Sequence, residues 1–380
     1  MSAPLSPSPP TQKTRNSSIE LLKLFAILMV VVSHGLPDNP AGEYIGSISI
    51  TAASLNPQHF LLGLMHNLGQ IGNDIFLFCS AWFLLDSHSS NLKKIAHMMG
   101  DCLVISIILT GFFLLLGYEF PTKYLLRMFF PISFNNNWFI TCYLLLYAIH
   151  PLLNVIIRSI SQRKHLLFCL VSLVLYCAAG FLMAGGLFFY SDFLGFIIIY
   201  FLAAYLKLYL PKTIESKWFG PSAIAIGVAG WLGMNAATNF LGLYIDYFSN
   251  IVMRWNTFIN PFFILLSIGL FCQVKKRSFH NRTINYFSGL SLLIYILHCN
   301  RIIRDYVRWD YFNYIFLTYS FDLVILWTLL WIAITLVWGV ALAAIYRKTL
   351  QGFVHKVCDF LCDRISLGYR YIEAFLLKLS

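Results

Sequence analysis

The sequence predicts an all-α membrane protein with about ten transmembrane helices, both termini in the cytoplasm and a C-terminal amphipathic helix. Composition is the first reason, since 59% of the 380 residues are hydrophobic and 11% are charged, against about 25% charged in an ordinary soluble domain. The second is a succession of apolar runs, each close to the roughly 20 residues that cross a bilayer. The third is that lysine and arginine fall mainly on one side of these runs.

The apolar runs number ten and are separated by polar connections. They occupy residues 18–36, 65–86, 94–117, 138–158, 165–184, 188–210, 218–238, 255–274, 286–304 and 321–346. With the N-terminus inside, 21 of the 27 lysines and arginines lie on the cytoplasmic side and 6 on the outer side. Because positive residues are retained in the cytoplasm, both termini are predicted to lie there. The runs use most of the chain, which excludes a second soluble domain of ordinary size.

The two ends of the chain differ from the ten-span domain, which we predict over residues 17–347. Residues 1–16 are rich in Ser and Pro, which predicts a disordered cytoplasmic tail. No A-x-A-like cleavage site follows the first run, so we interpret that run as a retained span and not as a signal peptide. Residues 348–380 carry apolar residues at helical spacing. This predicts an amphipathic cytoplasmic helix, which either lies on the inner leaflet or packs under the bundle.

Charge and cysteine patterns exclude some classes of function. The net charge of +11 is dispersed between the apolar runs, which argues against a nucleic-acid-binding protein. The nine cysteines form no CxxC pair and show no metal-ligand spacing. We therefore predict neither a disulfide framework nor a metal site.

The first run carries three ionisable residues, Glu20, Lys23 and His34. Lys23 and His34 are eleven positions apart, so they share one helical face and lie about 16 Å apart along the axis. Ionisable groups inside a span are costly and usually face a bundle interior or a cavity, which makes them functional candidates. The alternative is a lysine that reaches one membrane interface and a histidine at the other.

Four further groups of polar residues interrupt the apolar background. They are Gly69–Phe76 with Asp74 and the nearby Ser80, Lys93-Lys94, Asn137-Trp138 with Tyr143, and Ser288 to His298. The outer segments also mix aromatic residues with Asp, Asn and Arg, including Arg301. That mixture suits a sugar, because rings stack on C–H faces and planar polar groups bind hydroxyls. An aromatic belt at the membrane interface is the equal alternative.

Taken together, these groups resemble the acyltransferase-3 family of integral-membrane acyltransferases over residues 15–345. Glu20-x-x-Lys23-x10-His34 is similar to the family's D-x-x-R-x10-H signature, and Gly69–Phe76 resembles its G-x-x-G-V-D-L-F block. The segment that begins at Trp138 resembles W-F-x-x-Y, and the segment that ends at His298 resembles S-F-G-I-Y-L-x-H. The most similar branch is the compact one that O-acetylates surface polysaccharide.

Four departures from the family pattern concern charge or polarity. Glu20 stands where the family has Asp, and Asn73 where it has an apolar residue. Lys23 and the Lys93-Lys94 pair replace arginines, which keeps the charge but loses the bidentate fork for phosphate or carboxylate.

The resemblance implies that an acetyl group passes from acetyl-CoA, which enters from the cytoplasm, to a sugar hydroxyl at the outer face. The acceptor is expected to be a surface polysaccharide or exopolysaccharide, or its lipid-linked precursor. No permanently bound cofactor is expected. Such a chain would be a multi-pass protein of a bacterial plasma membrane, in contact with lipid.

We predict three sets of site residues. His34 is the general base, and Glu20 orients Lys23. Asp74 either orients His34 or steadies the basic cluster, and a purely structural role for it is the equal alternative. The donor phosphates would be held by Lys23, Lys93 and Lys94. The acceptor would be bordered by Asn137, Trp138, Tyr143, His298 and Arg301. Neither an acyl-His intermediate nor a serine nucleophile is proposed, since no base stands at a recognisable spacing from the candidate serines.

The same residues also fit functions other than acetyl transfer. A transporter or flippase for a glycan precursor would also place charges in a polar cavity, although no inverted repeat stands out. A scaffold of a glycan-synthesis complex would not need His34 or Lys23. Within the enzyme class, a succinyl or other acyl donor is possible, and the outer arginines also suit an anionic acceptor.

Overall fold

The computed structural model describes residues 16–37, 53–134, 136–183, 191–249, 255–318 and 323–379, and every regular element in these ranges is a helix. The helices are α1 (Ser17–His34), α2 (Pro57–Leu84), α3 (Leu92–Leu115), α4 (Thr122–Phe129), α5 (Trp138–Ser159), α6 (Gln162–Met183), α7 (Asp192–Tyr209), α8 (Pro211–Glu215), α9 (Phe219–Tyr244), α10 (Asp246–Ser249), α11 (Pro261–Lys275), α12 (Arg282–Ser288), α13 (Ser291–His298), a π-helical turn (Ile303–Val307), α14 (Arg308–Thr318), α15 (Val324–Thr349) and α16 (Gln351–Leu379). The predicted all-α class is confirmed. The N-terminal residues expected to be disordered lie outside the described ranges, apart from Asn16.

Six of the described helices are long and apolar enough to cross a membrane, namely α1, α3, α5, α7, α9 and α15. A seventh span arises if Arg282–His298 and Ile303–Ile315, which bend by 63° relative to each other, form one broken span. The fold is therefore that of a polytopic membrane protein. The count of ten spans and the cytoplasmic termini stay predictions.

Asparagine caps begin five of the helices. The side-chain oxygens of Asn16, Asn56, Asn91, Asn260 and Asn281 each accept a hydrogen bond from a backbone N–H in the first helical turn. Such a cap satisfies one of the N–H groups that a helix leaves unpaired, and it contributes about 1 kcal/mol. These caps explain why α1, α2, α3, α11 and α12 start where they do.

Close approach of α1 and α2 depends on two glycines. A Cβ added to Gly72 would lie 2.6 Å from the carbonyl oxygen of Ala26, and one added to Gly69 would lie 2.5 Å from Oγ of Ser33. Small residues at a helix interface let membrane helices approach each other closely. The pair of glycines therefore holds α2 tightly along the length of α1.

The buried apolar side chains form two clusters. The first centres on α2, α7 and α11, and the second on α3, α13 and α15, while α1, α2 and α5 contribute to both. Phe76, Phe139 and Tyr143 are half-buried and pack against both clusters. A gap in the apolar packing at this junction forms the larger of the two cavities described below.

The amphipathic helix α16 packs against the first half of α3 through a ladder of polar pairs. Lys93 lies 2.8 Å from a carboxylate oxygen of Asp363, and His97 Nε2 lies 2.9 Å from Oδ1 of Asp359. One turn further along α3, Asp101 accepts hydrogen bonds from α15 and α16. Four-residue spacing on antiparallel helices brings these pairs into register. The contacts show α16 packed on α3, while its position relative to the inner leaflet stays a prediction.

Candidate active site

Three side chains converge where α1 and α13 end. His34 is the last residue of α1, His298 is the last of α13, and Cys299 follows directly. His34 Nδ1 lies 3.1 Å from Nε2 of His298. The Sγ atom of Cys299 lies 3.2 Å from the first of these nitrogens and 3.3 Å from the second. We call these residues the His–His–Cys cluster.

The hydrogen-bond partners assign the tautomers within the cluster. Nδ1 of His298 lies 2.7 Å from the carbonyl oxygen of Ile294, which can only accept, so this nitrogen carries the proton. Nε2 of a neutral His298 is then an acceptor, and His34 Nδ1–H donates to it. The assignment leaves His34 Nε2 with a free lone pair. That nitrogen is the atom of the cluster that can take a proton from a substrate hydroxyl.

Two arginines stand beside the cluster. Arg308 is buried and donates a 2.5 Å hydrogen bond to the carbonyl oxygen of His34, which fixes the end of α1. Arg304 donates to Asp305 at 2.7 Å. The π-helical turn positions both arginines, and such turns are frequent at functional sites.

A small cavity lies against this face of the cluster. It encloses about 10 Å³, room for roughly one water molecule. Its lining consists of Val31, His34, Gly35, His298, Ile303, Arg304, Arg308, Trp331 and Thr335. It therefore combines the candidate base with two cations and an aromatic ring.

A larger cavity of about 210 Å³ lies between α2, α3, α5 and α13. We call it the four-helix cavity. Its lining is formed by Phe76, Ser80, Lys94, Met98, Phe139, Ile140, Tyr143, Ser291, Leu292 and Tyr295. Ring centroids of Tyr295 and His298 are 5.7 Å apart, so one wall of this cavity contacts the His–His–Cys cluster. The two cavities have no lining residue in common.

Glu20 and Lys23 of α1 form a contact separate from the His–His–Cys cluster. Glu20 is buried, and one of its carboxylate oxygens lies 2.7 Å from Nζ of Lys23. The other accepts a 2.5 Å hydrogen bond from Oγ of Ser288 at the end of α12. Glu20 thus ties α1 to α12 and holds the Lys23 ammonium in one place.

A sequence model of the acyltransferase-3 family, described as an acyltransferase domain, matches residues 16–348. The chain belongs to the acyltransferase-3 family. The match spans the helices that carry the His–His–Cys cluster, both cavities and the Glu20–Lys23 pair. No curated protein and no solved structure shows a match.

Only part of the donor site predicted for this acyltransferase-3 protein lies at the four-helix cavity. Lys94 lines the four-helix cavity, and its Nζ lies 4.6 Å from the centre of the Tyr147 ring. Lys93 turns away and pairs with Asp363 of α16. Neighbouring residues on a helix point about 100° apart, which explains why only one lysine of the pair reaches the cavity.

Asp74 is not brought to His34. It is 1% exposed, and neither of its carboxylate oxygens has a hydrogen-bond partner. Gly69 and Gly72 mark the face of α2 that packs on α1, and Asp74 lies on a different face of that helix. The place expected for Asp74, beside His34, is taken by His298.

The residues expected at the acceptor site are spread over several places. Tyr143 lines the four-helix cavity. Trp138 packs against Phe139, Phe196 and Phe258, and Asn137 is buried with its side-chain oxygen unpaired. Among these candidates, His298 alone is part of the His–His–Cys cluster.

Arg301 lines neither cavity and contacts polar and aromatic residues outside them. Its Nε donates to Asp305 at 3.2 Å, and its guanidinium lies 5.7 Å from the centre of the Tyr124 ring. Burial, and secondarily the Asp305 carboxylate, raise the pKa of Tyr124 above its ordinary value. Its hydroxyl therefore stays protonated at any physiological pH.

Sequence reasoning missed Cys299 and Arg308 as site residues. Cys299 is adjacent to His298, so the His-Cys dipeptide was a usable signal. Arg308 was read as one of several outer charges, because nothing in the sequence shows that it is buried against the end of α1.

The cluster offers two imidazoles and a thiol within 4.8 Å of one another, and such groups can bind metal ions. The same region holds the guanidinium groups of Arg304 and Arg308, which repel a dication. We therefore interpret the three atoms as a hydrogen-bonded cluster.

Proposed function

We propose that this chain is a membrane O-acyltransferase that moves an acetyl group from acetyl-CoA to a sugar hydroxyl of a surface polysaccharide or exopolysaccharide, or of its lipid-linked precursor. Membership of the acyltransferase-3 family supports the reaction class. The observation that carries the proposal is the pairing of His34 with His298 between two cavities. This pairing would fix the tautomer of His34 and leave a lone pair on its Nε2 atom, which could take the proton of the acceptor hydroxyl.

The four-helix cavity suits the thioester arm of the donor. Its walls are mostly aromatic and aliphatic, and Lys94 offers a cation at its edge for the donor phosphates. A volume of about 210 Å³ is below the roughly 300–1,000 Å³ of sites for drug-sized ligands. This favours a short acyl group such as acetyl, with the nucleotide part of the donor outside the cavity.

The small cavity suits the acceptor hydroxyl. It places His34 beside Trp331, whose ring can stack on a sugar, and beside Arg304 and Arg308. Two cations near the reacting carbon would stabilise the oxyanion that forms when a thioester is attacked. Removal of the hydroxyl proton by a positioned base contributes about 10²–10⁴-fold to the rate of such reactions.

The proposal is tested by mass spectrometry of surface polysaccharide from cells that lack the chain. The cells are complemented with wild-type protein, with His34→Ala or with His165→Ala. His165 is a matched control, because it is a buried histidine that bonds the Phe201 carbonyl and lies outside the cluster. At equal membrane expression, we expect one acetyl mass to be missing with the deletion and with His34→Ala but present with His165→Ala.

Purified protein in lipid vesicles provides the second arm of the test. The acyltransferase consumes acetyl-CoA when a polysaccharide acceptor is added, whereas a transporter or flippase moves the glycan without consuming it. Unchanged polysaccharide in deletion cells, together with no acetyl-CoA consumption, would overturn the proposal.

A further inference from the structure

We propose that Cys299 carries the acetyl group as a thioester between acetyl-CoA and the acceptor hydroxyl. This inference rests on the proposed acetyl transfer and adds a covalent step to it. It also assigns a nucleophile to a site in which the sequence indicated only a base.

The thiol has the neighbours that a nucleophilic cysteine needs. Cys299 is 6% exposed, and its Sγ lies 3.3 Å from the acceptor nitrogen Nε2 of His298 and 3.2 Å from Nδ1 of His34. A thiol within reach of an imidazole is the arrangement by which enzymes generate thiolate nucleophiles. The Tyr295 hydroxyl also interacts with this thiol.

The side chain of Tyr295 lies between this thiol and the four-helix cavity, the place that suits the donor. Tyr295 lines the cavity and contacts both Cys299 and His298. Ser291, two helical turns from Cys299, lines the same cavity, is 4% exposed, and has no hydrogen-bond partner for its Oγ. Buried hydroxyls are nearly always paired, so this one points to a bound polar group. The carbonyl oxygen of a thioester is a group of that kind.

Separation of the two cavities favours a carrier over direct transfer. Direct attack needs the donor carbonyl and the acceptor hydroxyl in one space, about 3–3.5 Å apart. Tyr295 belongs to the four-helix cavity, while His34 and His298 belong to the small cavity. Cys299 contacts all three of these side chains. Cys299 lines neither cavity, but its side chain lies between them, so it can receive an acyl group on the Tyr295 side and present it on the histidine side.

The first step exchanges one thioester for another. The His34 Nδ1–H shifts its hydrogen bond from His298 Nε2 to Sγ of Cys299, 3.2 Å away, which frees the lone pair of Nε2. His298 Nε2 then takes the proton of the Cys299 thiol, and Sγ attacks the acetyl carbonyl carbon of acetyl-CoA. The bond from that carbon to the CoA sulfur breaks, and the CoA thiolate takes the proton back from His298. The products are acetyl-Cys299 and free CoA, so the step is close to isoenergetic and needs no further reactant.

The second step forms the ester. His34 Nε2 takes the proton of the acceptor hydroxyl, whose oxygen attacks the acetyl-Cys299 carbonyl. As the carbon–sulfur bond breaks, the cysteine sulfur takes the Nδ1 proton of His34, which lies 3.2 Å away. Loss of the Nε2 proton to water, and return of a proton to Nδ1, restores the starting tautomer. The sum of both steps is transfer of one acetyl group from CoA to the hydroxyl.

The test uses the purified full-length protein in lipid vesicles with deuterium-labelled acetyl-CoA and no acceptor. Wild-type protein should gain one labelled acetyl group on the peptide that contains Cys299, and neutral hydroxylamine should remove it as it removes thioesters. Addition of acceptor should discharge the label. Cys272→Ala is the matched control, because Cys272 is also buried (1% exposed) but lies on α11, away from the cluster.

Activity measurements complete the test. Cys299→Ala should lower acetyl transfer by roughly 100-fold or more, while Cys272→Ala stays within about twofold of wild type. Cys299→Ser keeps the size of the side chain, so it guards against misfolding, and it should trap the label as a hydroxylamine-resistant ester. Initial-rate kinetics should be ping-pong.

The possible failures are distinguishable. If wild-type protein consumes no acetyl-CoA even with acceptor, the proposed function fails and the relay with it. If wild-type protein acetylates the acceptor and both Cys299 variants match its rate, the carrier role is wrong and the acyltransferase stands. Label on a different residue, or intersecting initial-rate lines, would also overturn the carrier role.

Discussion

His34 Nδ1 and His298 Nε2 lie 3.1 Å apart, although 264 positions separate the two residues. The pair exists because α1 and α13 both end at the same point of the bundle. A hydrogen bond from one neutral imidazole to another fixes the tautomer of each ring. We therefore expect His298 to orient the His34 ring, in addition to contacting Cys299.

Replacement of His298 by Ala should lower kcat by about 100-fold and leave KM for acetyl-CoA within about twofold, because it removes the acceptor that orients His34. The measurement is steady-state acetyl transfer against pH. Wild-type activity should fall at low pH as the two rings take up protons. On the acid side of the pH–rate profile, the variant should show the titration of a single group, since one of two coupled imidazoles is gone.

His165→Ala serves again as the control for loss of a buried histidine. A His298→Ala protein with an unchanged acid limb and only a lower thermal midpoint would show that His298 supports the fold and not the reaction.

The neighbouring lysines Lys93 and Lys94 should differ in effect. Lys94→Ala should raise KM for acetyl-CoA about tenfold, or about 1.4 kcal/mol, because Lys94 lines the four-helix cavity. Lys93→Ala removes an exposed ion pair with Asp363 and should leave that KM within about twofold, since water screens such pairs. Steady-state kinetics at varied acetyl-CoA measure both.

Equal effects of the two substitutions on KM would contradict this placement of the donor. The comparison is well matched, because the residues are adjacent and both lie in the first turn of α3.

Gly72→Ala should destabilise the protein. The added Cβ would lie 2.6 Å from the backbone oxygen of Ala26, and overpacking of this kind costs about 1–3 kcal/mol. Gly111→Ala is the control, since a Cβ there meets nothing within 4 Å and alanine is the better helix former by up to about 1 kcal/mol. Thermal unfolding in detergent measures both variants. A Gly72→Ala protein as stable as wild type would show that α1 and α2 can separate without loss.

The all-helical fold and the presence of candidate site residues on α1 could be predicted from sequence, because both depend on local patterns. The apolar runs are visible in composition, and the eleven-residue spacing of Lys23 and His34 follows from helical geometry. The number of spans was harder. The second run, for example, carries Asn67, Asn73 and Asp74, and α2 is not among the six helices apolar enough to span. The structure pairs Asn67 with side chains of α9, a contact that no local pattern shows.

Residues that meet across the bundle could not be predicted in the same way. His298 was placed at the acceptor and Asp74 beside His34, but the helix that reaches His34 is α13. That choice depends on how helices pack, which is a property of the whole fold. The Lys93-Lys94 pair is different, because the angle between adjacent helical residues alone indicates that one of the two must face elsewhere.

The small cavity has a consequence for the timing of turnover. A space of about 10 Å³ admits one water molecule and excludes a sugar ring. The proposed sugar acceptor would therefore reach His34 only after the wall formed by the π-helical turn and α15 has moved. The 63° bend between Arg282–His298 and Ile303–Ile315 lies next to that wall and is the natural hinge. Entry of the proposed glycan acceptor would then be gated by this movement. Its frequency would depend on bilayer thickness and fluidity, so the surrounding lipid would set the pace of the proposed acetylation.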